Sequence, residues 1–237
     1  MALATNNSPA IFVPCWISTT LKQIRQDNLP QPTMIWRNKM SNPRYWMQTF
    51  TGRPFRFDAP LNLEIEIKDI ARPLSRVCRF AGHTNSFLSV AEHSMAVHWL
   101  IHKYNPDNCL LQMHALMHDA HEAFFGDIIS PLKRFLAEEY YIDINEMEAS
   151  AQVNILAAFG IQLLDSIHDA DAIAQADLAC TKCERDLYMA SPLQWDLDHV
   201  TYPDDLPKVY PRLSSNEAFG LFMDTFNELK DKLNAQG

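Results

Sequence analysis

The chain has 237 residues, of which 29 are acidic and 20 basic, so its formal net charge is −9. This length suits one domain of ordinary size, or one domain with an extension. A content of 47% hydrophobic and 21% charged residues can bury a core, which excludes a disordered chain. The acidic balance argues against a partner such as a nucleic-acid polymer, which requires a basic face. It leaves room for a small anionic substrate, because a metal ion can reverse the local field.

Other protein classes also lack support in the sequence. The five cysteines are scattered and odd in number, which favours a reducing compartment over a disulfide framework. There is no apolar run long enough to span a membrane and no signal-peptide pattern, so we predict a cytoplasmic protein with no membrane partner. Cys180 and Cys183 form an isolated C-x-x-C in a helical stretch and are interpreted as packing residues. The following residues 184–186 are interpreted as a solvated or salt-bridged face.

The first part of the chain differs from the rest. Residues 1–43 are proline-rich with little periodicity, which predicts an irregular N-terminal extension before a domain over residues 44–237. Apolar and charged side chains alternate over residues 61–67, as in a strand. The period then becomes helical, with Asp69 as a candidate cap and Pro73 expected in the first turn.

The remaining elements are predicted to be helices. One opens with a capping box, Ser89 with Glu92, and the last opens with a second box, Ser214 with Glu217. Ser130 is expected to be the N-cap of another helix, with a proline at its first position. Further helices are predicted at residues 107–125, 145–159 and 165–189. The predicted fold class is therefore all-α.

Histidine and carboxylate side chains recur at three places on these helices. His93 follows the start of one helix, His118 and Asp119 are adjacent inside an apolar helix, and Asp177 lies within another apolar run. A buried carboxylate is costly without a cation or a hydrogen-bond donor. Helices that each direct one or two nitrogen or oxygen donors inward build metal sites in bundles. This donor set suits Mn, Fe, Co, Ni or Zn better than Ca.

The order of these residues resembles the H…HD…D signature of the HD-domain metal-dependent phosphohydrolases. Residues 117–128 resemble the H-D-x-x-E-x-x-x-G-D segment of their 5′-deoxynucleotidase branch, 89–94 resemble its first histidine helix and 175–177 the helix of its last ligand. The likeness covers about residues 45–190. It implies an HD-domain helical bundle with one divalent ion (Mn, Co, Zn, Fe, Ni or Mg), and leaves open a second ion that arrives with the substrate. The implied ligands are His93, His118, Asp119 and Asp177.

The resemblance also implies roles for residues around the ligands. Glu122 would act near the attacking water or the leaving oxygen, and Asp127 would hydrogen-bond a water, a sugar hydroxyl or a ligand histidine. Arg79, or less favourably Arg76, would clamp a phosphate through its planar guanidinium. The remaining candidates for substrate binding are His83 and Lys133.

These implied roles predict a metal-dependent nucleotide phosphohydrolase. The first choice is a 5′-deoxynucleotidase that hydrolyses deoxyribonucleoside 5′-monophosphates to deoxynucleoside and phosphate. The alternatives are a dNTP triphosphohydrolase that releases triphosphate and a non-catalytic HD protein that binds nucleotide as a sensor. Few arginines lie near the motif, which favours the monophosphate, and the complete ligand set argues against the sensor. Because related enzymes are homo-oligomers, we also expect a homo-oligomer.

Overall fold

The computed structural model describes residues 44–58, 64–190 and 193–236. Over these residues the chain is all-α apart from one short antiparallel hairpin, so the predicted fold class is confirmed. The extension predicted at residues 1–43 lies outside the described residues. The strand predicted at 61–67 lies partly outside them, and its described part is irregular up to the start of the first helix.

The hairpin consists of β1 (Trp46–Gln48) and β2 (Pro54–Arg56), with Met47 opposite Phe55. The helices, in chain order, are α1 (Ile67–Leu74), α2 (Val90–Tyr104), α3 (Cys109–Met117), α4 (Glu122–Phe125), α5 (Ser130–Tyr140), α6 (Ile144–Ala158), α7 (Ile167–Tyr188) and α8 (Ser215–Gln236). Two short 3₁₀ helices, Arg79–Gly82 and Leu206–Val209, precede α2 and α8. Among the described helices, none combines the length and the apolar character needed to cross a membrane.

Helices α2 and α3 form the centre of the bundle. They pack against each other, while α7 packs on α2 and α8 packs on α3. One apolar cluster lies around α1, α3, α4 and α8, where Phe222 is fully buried. A second lies between α2, α3 and α7, and contains Cys180 and Cys183 as buried free thiols. The interpretation of these two cysteines as packing residues is therefore confirmed, and burial raises the pKa of Cys183 to about 12.

The buried Asp69 attaches the hairpin to α1. Its carboxylate accepts hydrogen bonds from the backbone N–H and the hydroxyl of Thr51, at 2.7 and 2.8 Å, and from the backbone N–H of Glu66 at 3.0 Å. Burial acts to raise the pKa of Asp69, but these bonds lower it overall. Asp69 thus caps α1 from its third position while Glu66 is the N-cap, and Pro73 lies in the last turn rather than the first.

Two predicted helix boundaries need correction, although both predicted capping boxes are present. The helix predicted at 107–125 is broken into α3 and α4 by a turn at residues 118–121. In this turn the backbone N–H of Glu122 bonds the carbonyl of Asp119, three residues back, at 3.0 Å. Ser130 is the first residue of α5 and not its N-cap, because the carbonyl of the preceding residue accepts the first helical hydrogen bond.

Neighbouring residues on α8 give a test of this packing. Phe222→Ala should lower the free energy of unfolding by about 3–5 kcal/mol, because it leaves a cavity in the first cluster. Leu221→Ala, at a side chain that is 43% exposed, should change it by less than about 0.5 kcal/mol. Urea unfolding followed by circular dichroism measures both, and equal losses in the two variants would contradict this position of α8.

Candidate metal centre

Four nitrogen and oxygen atoms meet where α2, α3 and α7 approach one another. His93 Nε2 lies 3.2 Å from His118 Nε2 and 3.1 Å from Asp177 Oδ1. Asp119 Oδ2 lies 3.1 Å from His118 Nε2 and 3.6 Å from His93 Nε2. Donors that share one ion at about 2.1 Å stand roughly 3.0–3.4 Å apart. The structure therefore brings the four predicted ligands together: three of these four distances fit a shared ion, and the distance from Asp119 to His93 is slightly longer. His93, His118 and Asp177 form a group that could hold a metal ion.

The histidine donors are buried, whereas the carboxylate donors are partly exposed. His93 lies in the first turn of α2 and His118 ends α3, and both imidazoles are buried. The carboxylates of Asp119 and Asp177 retain 13% and 25% of their side-chain exposure. The site is therefore closed on its histidine side and open on its carboxylate side, which is where a substrate could approach.

Hydrogen bonds orient both imidazoles. The Nδ1 of His93 lies 2.7 Å from Glu184 Oε1, and the Nδ1 of His118 lies 2.9 Å from the carbonyl oxygen of Ala115. Because both partners are acceptors, each ring carries a proton on Nδ1. The Nε2 of each ring therefore faces the shared position and presents a lone pair there when the ring is neutral, as in metal sites where a carboxylate or a carbonyl orients the ligating histidine.

The residue that sequence reasoning missed is Glu184. It is completely buried, and besides His93 it accepts hydrogen bonds from the Tyr210 hydroxyl at 2.9 Å and from Arg79 Nε at 3.2 Å. Burial acts to raise the pKa of Glu184, but His93 and Arg79 lower it overall. The prediction that residues 184–186 form a solvated or salt-bridged face is therefore correct about salt bridges, since Glu184 pairs with Arg79, but wrong about solvation, because Glu184 is buried. Its position seven residues after Asp177, two helical turns along the same face, was the available signal.

The electrostatics of the site favour positive charge at the donors. Burial and the neighbouring Arg79 both oppose protonation of His93, yet Glu184 and Asp177 raise the pKa of His93 to about 10. A divalent cation would supply the positive charge that these carboxylates favour, and its binding would release the proton from Nε2.

Arg79 is fixed beside the donors by the backbone and by side chains. Its N–H donates to the carbonyl of Leu88 at 2.9 Å, which holds the first 3₁₀ helix against the start of α2. Besides its bond to Glu184, the guanidinium donates to Thr181 Oγ1 at 3.1 Å, and its Nη1 lies 3.6 Å from Asp127 Oδ2. Burial disfavours the charged form, but Glu184 and Asp127 raise the pKa of Arg79 well above its ordinary value. Arg79 is therefore a permanent positive charge in the site.

A turn at Gly126 positions the carboxylate of Asp127 beside the segment that carries Arg79. Gly126 has φ 77° and ψ 167°, a conformation that is essentially restricted to glycine. After this turn Asp127 Oδ2 accepts a hydrogen bond from the backbone N–H of Phe80 at 3.2 Å. Asp127 thus joins the end of α4 to the segment that carries Arg79.

Glu122 and His121 lie next to the donors in the turn that leads into α4. Both are buried, and Glu122 Oε2 has no hydrogen-bond partner among the described residues. Burial, followed by the charges of Asp119 and Asp127, raises the pKa of Glu122 well above its ordinary value. Burial lowers the pKa of His121 to about 4, so this imidazole is neutral. Asp119, His121 and Glu122 form a second group that could hold a metal ion.

The other predicted substrate-binding residues lie in different settings. Lys133, near the start of α5, contacts Glu148 Oε2 at 2.6 Å. Arg76 and His83 have exposed side chains, and no described hydrogen bond or ion pair joins either of them to the donors. His114, one turn before His118, is buried and bonds the carbonyl of Gln162 at 2.8 Å, which is a structural contact.

Comparison with known proteins identifies relatives of this chain. It is 34% identical over 187 residues to the protein named "Uncharacterized protein YfdR" of Escherichia coli K12, which covers 78% of this chain and 96% of the relative. It is 32% identical over 144 residues to "Uncharacterized protein RCAP_rcc00048" of Rhodobacter capsulatus, which covers 60% of this chain and 71% of that protein. The chain therefore belongs to the family of YfdR. No protein-family model matches it.

The contacts of Glu184 predict a loss of metal affinity when its charge is removed. Glu184→Gln should weaken Mn²⁺ binding by about 10–100-fold, because an amide has one acceptor oxygen where Glu184 accepts through two. Isothermal titration calorimetry of chelator-treated protein measures the change. Asp186→Asn is the matched control: Asp186 lies on the same helix but pairs with Lys182 and Arg185. If both variants bind Mn²⁺ like the parent, Glu184 has no role in holding His93.

Proposed function

We propose that this protein is a divalent-metal-dependent nucleotide phosphohydrolase, and specifically a 5′-deoxynucleotidase. The observation that carries the proposal is the convergence of four donor atoms, from His93, His118, Asp119 and Asp177, beside the buried Arg79. The order of these residues resembles the H…HD…D signature of the HD-domain phosphohydrolases. An all-α bundle with its donors on three helices is consistent with that likeness.

The donor set supports a borderline divalent ion. Two imidazole nitrogens and two carboxylate oxygens suit Mn, Co, Zn, Fe or Ni, and a carboxylate-rich site also admits Mg. When bound, such an ion stabilises the negative charge of phosphoryl oxygens and makes water a better nucleophile at neutral pH. The open carboxylate side, with Asp177 at 25% exposure, provides the approach for a phosphate group.

Arg79 is suited to hold that phosphate. Glu184 and Thr181 occupy Nε and one N–H of Nη2, while Nη1 is 3.6 Å from Asp127 and outside hydrogen-bond distance. A guanidinium has five N–H groups in one plane, so N–H groups on Nη1 and Nη2 remain for phosphate oxygens. Lys133 could add a second contact, because its ammonium has three donors and Glu148 takes one of them.

Glu122 is suited to move the proton in hydrolysis. Water attacks the phosphorus, the bond between phosphorus and O5′ breaks, and O5′ must gain the proton that the water loses. The carboxyl of Glu122 is buried with a free oxygen, Oε2, and burial together with the charges of Asp119 and Asp127 raises its pKa, which favours the form that carries this proton. The products are a deoxynucleoside and inorganic phosphate.

The charges of the site favour a monophosphate over the alternatives. Arg79 and Lys133 act to lower the pKa of Glu122, and the carboxylates of Asp119 and Asp127 act against them. A triphosphate would bring more negative charge to the same surroundings, which disfavours the dNTP triphosphohydrolase. A nucleotide sensor would not need the buried, unpartnered carboxyl of Glu122, whose desolvation costs stability.

A substrate panel tests the proposal. Protein loaded with Mn²⁺, Co²⁺ or Mg²⁺ should convert deoxyribonucleoside 5′-monophosphates to nucleoside and phosphate, resolved by chromatography and a phosphate assay. Release of triphosphate from dNTPs would replace the first choice with the triphosphohydrolase. If nucleotides bind but none is turned over with any of these metals, the protein is a sensor.

Removal of one ligand tests whether the activity belongs to this site. Asp119→Ala should lower turnover by more than about 100-fold, since even an outer contact of a metal site is worth 10–100-fold, and metal retained after gel filtration should fall with it. Asp224→Ala, an exposed acid on α8, controls for the loss of a charge. Full activity of Asp119→Ala would rule out this mechanism.

A further inference from the structure

A second group of donors lies directly beside the first. Asp119, His121 and Glu122 each offer a ligand atom, and these atoms all lie within 4.8 Å of one another. The turn between α3 and α4 brings them together, because the N–H of Glu122 bonds back to the carbonyl of Asp119 at 3.0 Å. His121 and Glu122 are 3% and 4% exposed, so this group lies inside the protein and is not a surface cluster of acids.

The imidazole of His121 is oriented like those of the first group. Gln152 donates from Nε2 to the carbonyl of Met117 at 2.6 Å, which leaves its Oε1 as an acceptor. That oxygen lies 3.2 Å from the backbone nitrogen of His121 and 3.3 Å from its Nδ1. The His121 proton therefore lies on Nδ1 and its lone pair on Nε2, the form that binds a metal.

Two buried carboxylate oxygens in this region lack a hydrogen-bond partner among the described residues. These are Glu122 Oε2 and Glu148 Oε1. A buried, unpartnered polar atom costs about 1–3 kcal/mol, so each of these oxygens points to a missing positive group or hydrogen-bond donor. Lys133 contacts only the other oxygen of Glu148 in the described structure.

We propose that Asp119, His121 and Glu122 bind a second divalent cation, with Asp119 shared between the two ions. The carboxylate of Asp119 is suited to this, since its Oδ2 faces His118 at 3.1 Å while the residue also belongs to the second group. Glu122 can bind the cation through one oxygen and keep the other for the proton. The role of the second ion, to receive the phosphate of the substrate, rests on the proposed function; its binding site does not.

The experiment counts metal ions in the absence of substrate. Chelator-treated protein is titrated with Mn²⁺ to millimolar concentration, with free Mn²⁺ measured by electron paramagnetic resonance and the bound ions examined for spin coupling. The parent protein should bind two Mn²⁺ per chain as a coupled pair. Glu122→Gln and His121→Gln should each bind one, without coupling. Glu138→Gln, at an exposed residue of α5, should still bind two.

The outcomes separate this inference from the proposed function. One Mn²⁺ per chain in the parent, or two coupled ions retained in both variants, would overturn the second site. If Glu122→Gln has lost its circular dichroism spectrum, His121→Gln decides the result. A coupled pair without nucleotide turnover would leave the second site standing and remove the function, whereas turnover with one ion would do the reverse.

Discussion

The candidate site depends on the hydrogen bonds that the buried carboxylate of Glu184 accepts. Through its two oxygens it joins His93 on α2, Arg79 on the preceding 3₁₀ helix and Tyr210 from the segment before α8. Removing one charged partner from such a buried network leaves the others uncompensated, which is more costly than losing a surface ion pair. The metal donor His93 and the phosphate candidate Arg79 therefore share one structural support.

Local signals in the sequence predicted much of this arrangement, and tertiary contacts account for what they missed. Capping boxes act within four residues, so Ser89 with Glu92 could be recognised from the sequence. The isolated polar positions His118 and Asp177 in apolar helices indicated inward-facing donors. The break at residues 118–121 could not be predicted, because the same apolar run fits a continuous helix. The role of Gln152 depends on how α6 approaches that turn, which no local pattern encodes.

The acidic residues that give the net charge of −9 lie in two different settings. Several are surface residues, such as Asp205, which pairs with Lys103, and these affect solubility more than chemistry. Others, including Glu122 and Glu184, are buried between helices, where water screens their repulsion only weakly. The net charge of the molecule therefore says little about which ligands this site favours. The buried carboxylates favour a cation there, whatever the net charge.

The hydroxyl of Tyr210 connects the site to a segment that is distant in sequence. Tyr210 follows the second 3₁₀ helix, whose Leu206 is fully buried in the second apolar cluster. Binding and conformational equilibria are reciprocal. If a cation at His93 strengthens the hydrogen bond between Glu184 and Tyr210, then the packing of this segment raises the affinity for the cation by the same factor. Residues that touch neither metal nor substrate would therefore contribute to affinity through the packing of residues 206–210.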